Sequence, residues 1–364
     1  MSEARADTGP TPPRAPRLQF AAMVSGFAGF TALGVYWAMP TGETLARSGR
    51  GLAELGWANA LLLAAVAVAI LVAEMIRMIV FGRVLGVRVS LRAAFDASTA
   101  NDLFSWISPA AVLGEPAAIY VMTRRGVPVD AALVLSFGKY ATGFAFFMGL
   151  AGILVAAGYG PAIADWAVAS VVATIGVGVV VVGSFVVGAM LPAASLRAID
   201  ACEAWARRRR VLRGPWAGRA VTASAGVARR SVERLAQFRR GGAAGWLAML
   251  GSHALYYGSY IGLLVLLAWM FGAPALGPVI PVAIIYQAFI YIAPAPGIPE
   301  AGAAAFFGAL LPGGEAFVVV LLFRALTAYF QVGLGLIYLP VIGALRAILE
   351  RRPVTAAPPS PPPG

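Results

Sequence analysis

Long apolar stretches separated by short polar ones set the organisation of this chain. Uninterrupted apolar runs cover Leu18–Met39, Trp57–Val80, Asp130–Gly158, Asp165–Leu191, Trp246–Phe271 and Ala316–Ile348. Each reaches the roughly 20 residues that cross a hydrocarbon layer about 30 Å thick as an α-helix. The first is too long for the apolar core of a signal peptide and is read as a helix of the folded protein. Two further apolar stretches are interrupted. Leu91–Leu113 carries Asp96, Asn101, Asp102 and Pro109, and Pro278–Leu311 carries prolines at 281, 294, 296 and 299. The pattern therefore predicts an all-α integral membrane protein with six full transmembrane helices and two broken segments. Residues 1–17 and the Pro-rich 349–364 read as disordered tails around one membrane domain, 18–348.

Composition agrees with that reading and narrows the chemistry. Of 364 residues, 60% are hydrophobic and 12% charged, and the mean hydropathy is +0.81. An ordinary soluble domain carries about 25% charged residues, and disorder needs low hydrophobicity; both are excluded. The only cysteine is Cys202 and the only histidine His253, which excludes a disulfide framework and metal sites built on several Cys or His. No cofactor and no metal is expected, and an enzyme is not. His253, near the start of an apolar helix among Tyr256, Tyr257 and Tyr260, reads as a hydrogen-bonded packing residue.

Charge gives the topology. The net charge is +12, which in a membrane protein points to cytoplasmic loops facing anionic lipid rather than to nucleic acid. The basic segment 192–245 holds twelve arginines and three acids between Arg197 and Arg240, so it is cytoplasmic by the positive-inside rule. Arg14 and Arg17 place the N-terminus inside, and Arg346, Arg351 and Arg352 the C-terminus. Arg92 and Arg124 flank the first broken segment on one side of the membrane, so hairpin 91–125 enters and returns. The same counting makes 278–311 a second re-entrant hairpin, entering from the opposite face.

The two hairpins repeat a polar skeleton at an offset of 185 residues. Pro109, Glu115, Asp130, Lys139 and Thr142 correspond to Pro294, Glu300, Glu315, Arg324 and Thr327. Opposite entry with a shared skeleton is an inverted-topology repeat, an architecture that places transport sites near the bilayer midplane at broken helices. Charges at that depth cost a few kcal/mol each on insertion scales, about 2.5–3.5. Glu115, Lys139, Glu300 and Arg324 are thus candidates to line a cavity, with the bases holding a phosphate and the acids a cationic headgroup or a coupling proton. The alternative is two structural ion pairs, Glu115–Lys139 and Glu300–Arg324. Asn101 and Asp102, matched by Tyr286 and Gln287, either line the cavity or tie down backbone, and Thr142 and Thr327 either touch ligand or bond back to their helices. Asp130 and Glu315 fit helix starts, where an acid favours the dipole. Pro109, Pro294, Pro296 and Gly297 shape the turns. Glu74 and Arg77 can pair at i, i+3, with Arg77 read as a snorkelling anchor.

Ser108-Pro109 with Gly114-Glu115, the run from Pro294 through Pro296-Gly297 to Glu300-Ala301-Gly302, and Phe323-Arg324-Ala325-Leu326-Thr327 with Tyr329 resemble the transmembrane, flippase-like region of lysylphosphatidylglycerol synthases and its standalone relatives. The resemblance spans roughly residues 18–348. It implies a lipid translocator of the bacterial inner membrane without aminoacyl-transfer activity, working on membrane lipids of unknown headgroup, with a lipid-biosynthesis enzyme as a possible partner. A transporter of a small polar solute and a membrane scaffold for a lipid-modifying synthase are the competing expectations. A lateral opening between helices would separate a lipid site from a solute site.

Overall fold

The computed structural model describes residues 24–29, 32–33, 36, 56–108, 113–159, 176, 179–180, 182–208, 215–273, 275–292, 298–311 and 314–350. Every regular element among these described residues is helical. Beyond the helical residues 24–29, 32–33, 36, 176 and 179–180 they are, in chain order, α1 (Gly56–Val84), α2 (Leu91–Ile107), α3 (Gly114–Arg124) and α4 (Val129–Ala156), then α5 (Val182–Met190), α6 (Pro192–Arg208), α7 (Pro215–Leu235) and α8 (Gln237–Arg240). The second half follows with α9 (Gly242–Met270), α10 (Leu276–Ile292), α11 (Ile298–Phe307), α12 (Glu315–Arg324) and α13 (Phe330–Glu350). A π-helical turn, Ala325–Tyr329, joins α12 to α13.

Among the described residues, α1, α4, α9 and the composite Glu315–Pro340 are long and apolar enough to cross a membrane, and a fifth span arises if α5 and α6 are one span bent by 108°. Most of the predicted run Leu18–Met39 and the first part of Asp165–Leu191 lie outside the described residues, as does nearly all of both tails. Neither arm of the first broken segment spans alone. The 17 residues of α2 and 11 of α3 measure roughly 26 and 17 Å, short of a ~30 Å core.

Local chemistry fixes this hairpin. Gly86, at φ +66°, ends α1, and the Val87 N–H bonds the Gly82 carbonyl at 2.8 Å, a left-handed helix stop that glycine accepts without strain. Ser90 caps α2, its hydroxyl accepting from the Ala93 N–H at 3.2 Å. The chain then folds α3 back along α2. A Cβ on Gly114 would lie 1.8 Å from Ser105 Oγ and 2.9 Å from the Asn101 carbonyl oxygen, so only glycine permits the approach that sets Glu115 beside α2. At the hairpin base, Arg125 pairs with Asp96, which also accepts a 2.7 Å hydrogen bond from Tyr338 of α13.

The second half matches the first at one pair of helices. Helices α2 and α10 are both 17 residues long, and both their ends lie 185 residues apart. The two largest of the hydrophobic clusters among the described residues lie mainly one in each half. In the first, Met78, Phe81, Ala94, Ala118, Met122 and Leu135 are fully buried. In the second, Tyr286 meets Phe306, Phe307 and Phe323 edge-on at 5.2, 5.4 and 6.5 Å between ring centroids, a favoured aromatic geometry. Lipid tails are as apolar as these side chains, so such close packing, rather than escape from water, holds the spans together. Outside the bundle, α6 and α7 pair through Arg229, whose guanidinium bonds Asp200 and Glu203 at 2.8 and 2.5 Å. Arg234 of α7 pairs with Asp130 in the first turn of α4, tying the basic segment to the membrane domain.

Candidate functional site

A cavity of about 360 Å³ opens between α1, α2, α3, α4, α9 and α10. Its floor is ionic. Lys139 of α4, 2% exposed, donates from Nζ to Glu74 Oε1 of α1 at 2.5 Å and lies 3.7 Å from Glu115 Oε1 of α3. Glu74 also pairs with Arg77 one turn on, and the Arg77 guanidinium sits 3.8 Å above the ring of Tyr256 on α9, a cation–π geometry. Asp102, Asn101, Ser105 and Trp106 bring α2 into the same wall. Glu74, Asp102 and Glu115 thus share one cavity lining with Arg77 and Lys139.

Several cavity-lining polar atoms remain open. Asn101 Nδ2, Glu115 Oε2, Ser136 Oγ and Gln287 Oε1 are buried and have no hydrogen-bond partner among the described residues. Buried polar groups in native proteins are paired as a rule, so these atoms are the ones offered to water or a ligand. Phe137 and Tyr140 also line the cavity, yet they are 59% and 38% exposed on the outer face of α4. The cavity is therefore open beside these two rings.

The profile of the lysylphosphatidylglycerol synthase transmembrane region matches residues 21–335. The chain belongs to this family. The match takes in both hairpins and every residue that lines the cavity. It makes the chain a multi-pass membrane protein of a family concerned with lipid handling. No curated protein and no solved structure matches it.

In this lysylphosphatidylglycerol synthase family member the two halves of the polar skeleton are unequally exposed. Glu115, Lys139, Asn101 and Asp102 line the cavity. Glu300 and Arg324 lie outside its lining, paired at 3.0 Å with their side chains 0% and 1% exposed. Tyr329 donates to the same Glu300 oxygen at 2.7 Å. In a regular α-helix, residues 324 and 329 would point about 140° apart; the π turn between them brings both to one carboxylate, a common use of π turns at functional positions. Arg324 stacks 4.3 Å over Trp106. Trp106, itself a cavity-lining residue, donates to Gln331 at 3.1 Å, and Gln331 donates to the Tyr260 hydroxyl at 3.2 Å. Trp106 is thus the partition between the open cavity and the closed pair.

The remaining sequence candidates are placed as follows. The Thr142 hydroxyl bonds the Gly138 carbonyl at 2.7 Å and lies 2.9 Å from His253 Nε2, and Thr327 bonds the Phe323 carbonyl at 2.7 Å; neither lines the cavity. Asp130 and Glu315 occupy the first turns of α4 and α12. Pro109, Pro294, Pro296 and Gly297 lie outside the described residues. Arg77 needs a correction. It is 4% exposed and turned inward to Glu74 and Tyr256, not snorkelling, because the tyrosines of α9 offer its guanidinium a better partner than the interface. Glu74, Trp106 and the tyrosines at 140, 256, 257 and 260 complete the site beyond the sequence candidates. The signal for Glu74 was present: a lone acid within an apolar span marks function by default.

Proposed function

We propose that the protein moves a polar-headgroup lipid between the leaflets of the bacterial inner membrane, with its N- and C-termini cytoplasmic and no covalent chemistry. The observation that carries this reading is the ionic cavity with four unpartnered polar atoms, open beside the rings of Phe137 and Tyr140. A water-soluble solute needs no lateral opening; a lipid does, because its headgroup must enter while its acyl chains stay in hydrocarbon. Lys139 and Arg77 offer positive charge to the headgroup phosphate, Asn101, Ser136 and Gln287 offer hydrogen bonds, and Glu115 and Asp102 balance the charge. Thr142 and Thr327 hold helix backbone near the bases.

The matched bounds of α2 and α10 support an inverted repeat of two re-entrant hairpins within six spans. Asp102 and its counterpart Gln287 line one cavity, as expected where two related halves meet. In that frame the first half is open and the second, Glu300–Arg324, is shut behind Trp106; transport exchanges the two conditions, and Arg324 takes the phosphate in turn. The basic α6–α7 pair faces anionic lipid and offers a surface to a lipid-biosynthesis enzyme, which co-purification from the native membrane tests.

The direct test is reconstitution with nitrobenzoxadiazole-labelled phosphatidylglycerol, following its movement by dithionite quenching. Wild type should move the label. Lys139→Ala and Glu115→Gln, each checked for folding by size-exclusion chromatography, should lose most of that movement. Full activity in both removes the cavity from the mechanism.

A further inference from the structure

The cavity charge does not balance. Arg77 and Glu74 face each other from α1 and Lys139 projects from α4, so Glu74 is engaged by both bases. Glu115 of α3 stands 3.7 Å from Lys139. Asp102 of α2 is left over: among the described residues it has no ion pair, although it shares the cavity with all four of these charges. The other polar groups facing this space carry no formal charge: Asn101, Ser105 and Trp106 on α2, Ser136 and Tyr140 on α4, three tyrosines of α9 and Gln287 on α10. Gln287 is 5% exposed and its Oε1 has no hydrogen-bond partner, so an acceptor without a donor lines the same cavity as the surplus carboxylate.

We propose that Asp102 is a proton-binding site that couples lipid movement to the proton gradient, one proton travelling in the same direction as each anionic lipid. This rests on the lipid-transport reading above. With every group ionised, Glu74, Asp102 and Glu115 against Arg77 and Lys139 leave one net negative charge. A monoanionic phosphodiester entering that space raises it to two, in a low-dielectric surrounding where like charges repel strongly. A proton taken from water onto the Asp102 carboxylate restores the original charge. The neutral carboxyl then offers the entering phosphate an O–H donor in place of a repelling charge. A metal cation is a poorer fit to the same position, since no three Asp, Glu, His or Cys among the described residues converge to hold one.

The coupling has a definite signature. A lipid anion moving with one proton carries no net charge, so its distribution ignores membrane voltage. A gradient of one pH unit should enrich the lipid about tenfold in the leaflet facing the more alkaline side, a tenfold ratio being the equilibrium equivalent of one pH unit. A lipid anion moving alone follows voltage and ignores pH.

The experiment uses the full-length protein in phosphatidylcholine vesicles with a trace of labelled phosphatidylglycerol. The leaflet ratio is read by dithionite under an imposed pH gradient, and separately under a potassium diffusion potential with valinomycin. Wild type should follow pH and not voltage. Asp102→Asn should lose the pH response, and Asp102→Glu should keep it. Should Asp102→Asn fail to fold, proton uptake with lipid movement is read on wild type by an entrapped pH dye. Wild type that follows voltage alone, or Asp102→Asn that still follows pH, overturns the coupling while lipid transport stands. Wild type that moves no label under either gradient overturns both.

Discussion

Replacing Glu74 by Gln separates an ionic cavity floor from a chance cluster of charges. Glu74 holds two cations at once: Lys139 at 2.5 Å, and Arg77. All three side chains are 6% exposed or less. Removing one partner from a buried pair strands the other charge and costs about 3–5 kcal/mol. Lys139 keeps Glu115 at 3.7 Å and Arg77 keeps the Tyr256 ring at 3.8 Å, so the loss belongs at the low end, about 3 kcal/mol. Glu115→Gln is the matched control. Its side chain is 30% exposed and its ion pair longer, so screening holds its cost below about 1 kcal/mol. Adding Lys139→Met to Glu74→Gln removes the stranded ammonium and should recover part of the loss, with a coupling of about 0.5–3 kcal/mol. Thermal unfolding of the detergent-purified variants reads all of these. The reasoning fails if Glu115→Gln destabilises as much as Glu74→Gln, or if the two substitutions in the double variant simply add.

Three further outcomes follow from the geometry. Gly114→Ala pushes a methyl group into Ser105 Oγ and the Asn101 carbonyl and should cost about 1–3 kcal/mol by overpacking; Ser105→Gly should rescue it only in part, since the backbone clash stays, and an unchanged melting temperature for Gly114→Ala contradicts the close hairpin approach. Tyr329→Phe removes a 2.7 Å donor to a buried carboxylate and should cost about 1.5–3 kcal/mol, clearly more than Thr327→Val, whose hydroxyl serves only its own helix; equal melting shifts would deny the π turn its role. With Cys202 replaced by Ala, a spin label at Phe137→Cys should be reached by oxygen in preference to a water-soluble nickel chelate, as a lateral opening requires; the reverse order would place that face in water.

The spans were legible because their apolar runs are long and unbroken. Trp57–Val80, Asp130–Gly158, Trp246–Phe271 and Ala316–Ile348 became α1, α4, α9 and the composite around the π turn. Five polar or proline positions per half keep one spacing, and the bounds of α2 and α10 share that offset. Glu74 was seen only as a neighbour of Arg77, because sequence displays partners at i, i+3 and hides one that stands 65 residues away, Lys139. The inward turn of Arg77 depends on tyrosines of α9, contributed from the other half of the chain. The π turn left no trace in the apolar pattern, since one extra residue within a buried turn changes neither hydropathy nor length. The unequal exposure of Lys139 and Arg324 depends on side chains from several helices, such as Trp106 over Arg324, which a repeated skeleton does not display.

Native mass spectrometry of the gently purified protein tests the central claim most directly. The account predicts a retained polar-headgroup lipid, bound to wild type and largely lost from Lys139→Ala at equal folded yield. A wild-type protein that carries a water-soluble solute, or one that holds lipid just as well without Lys139, would contradict it.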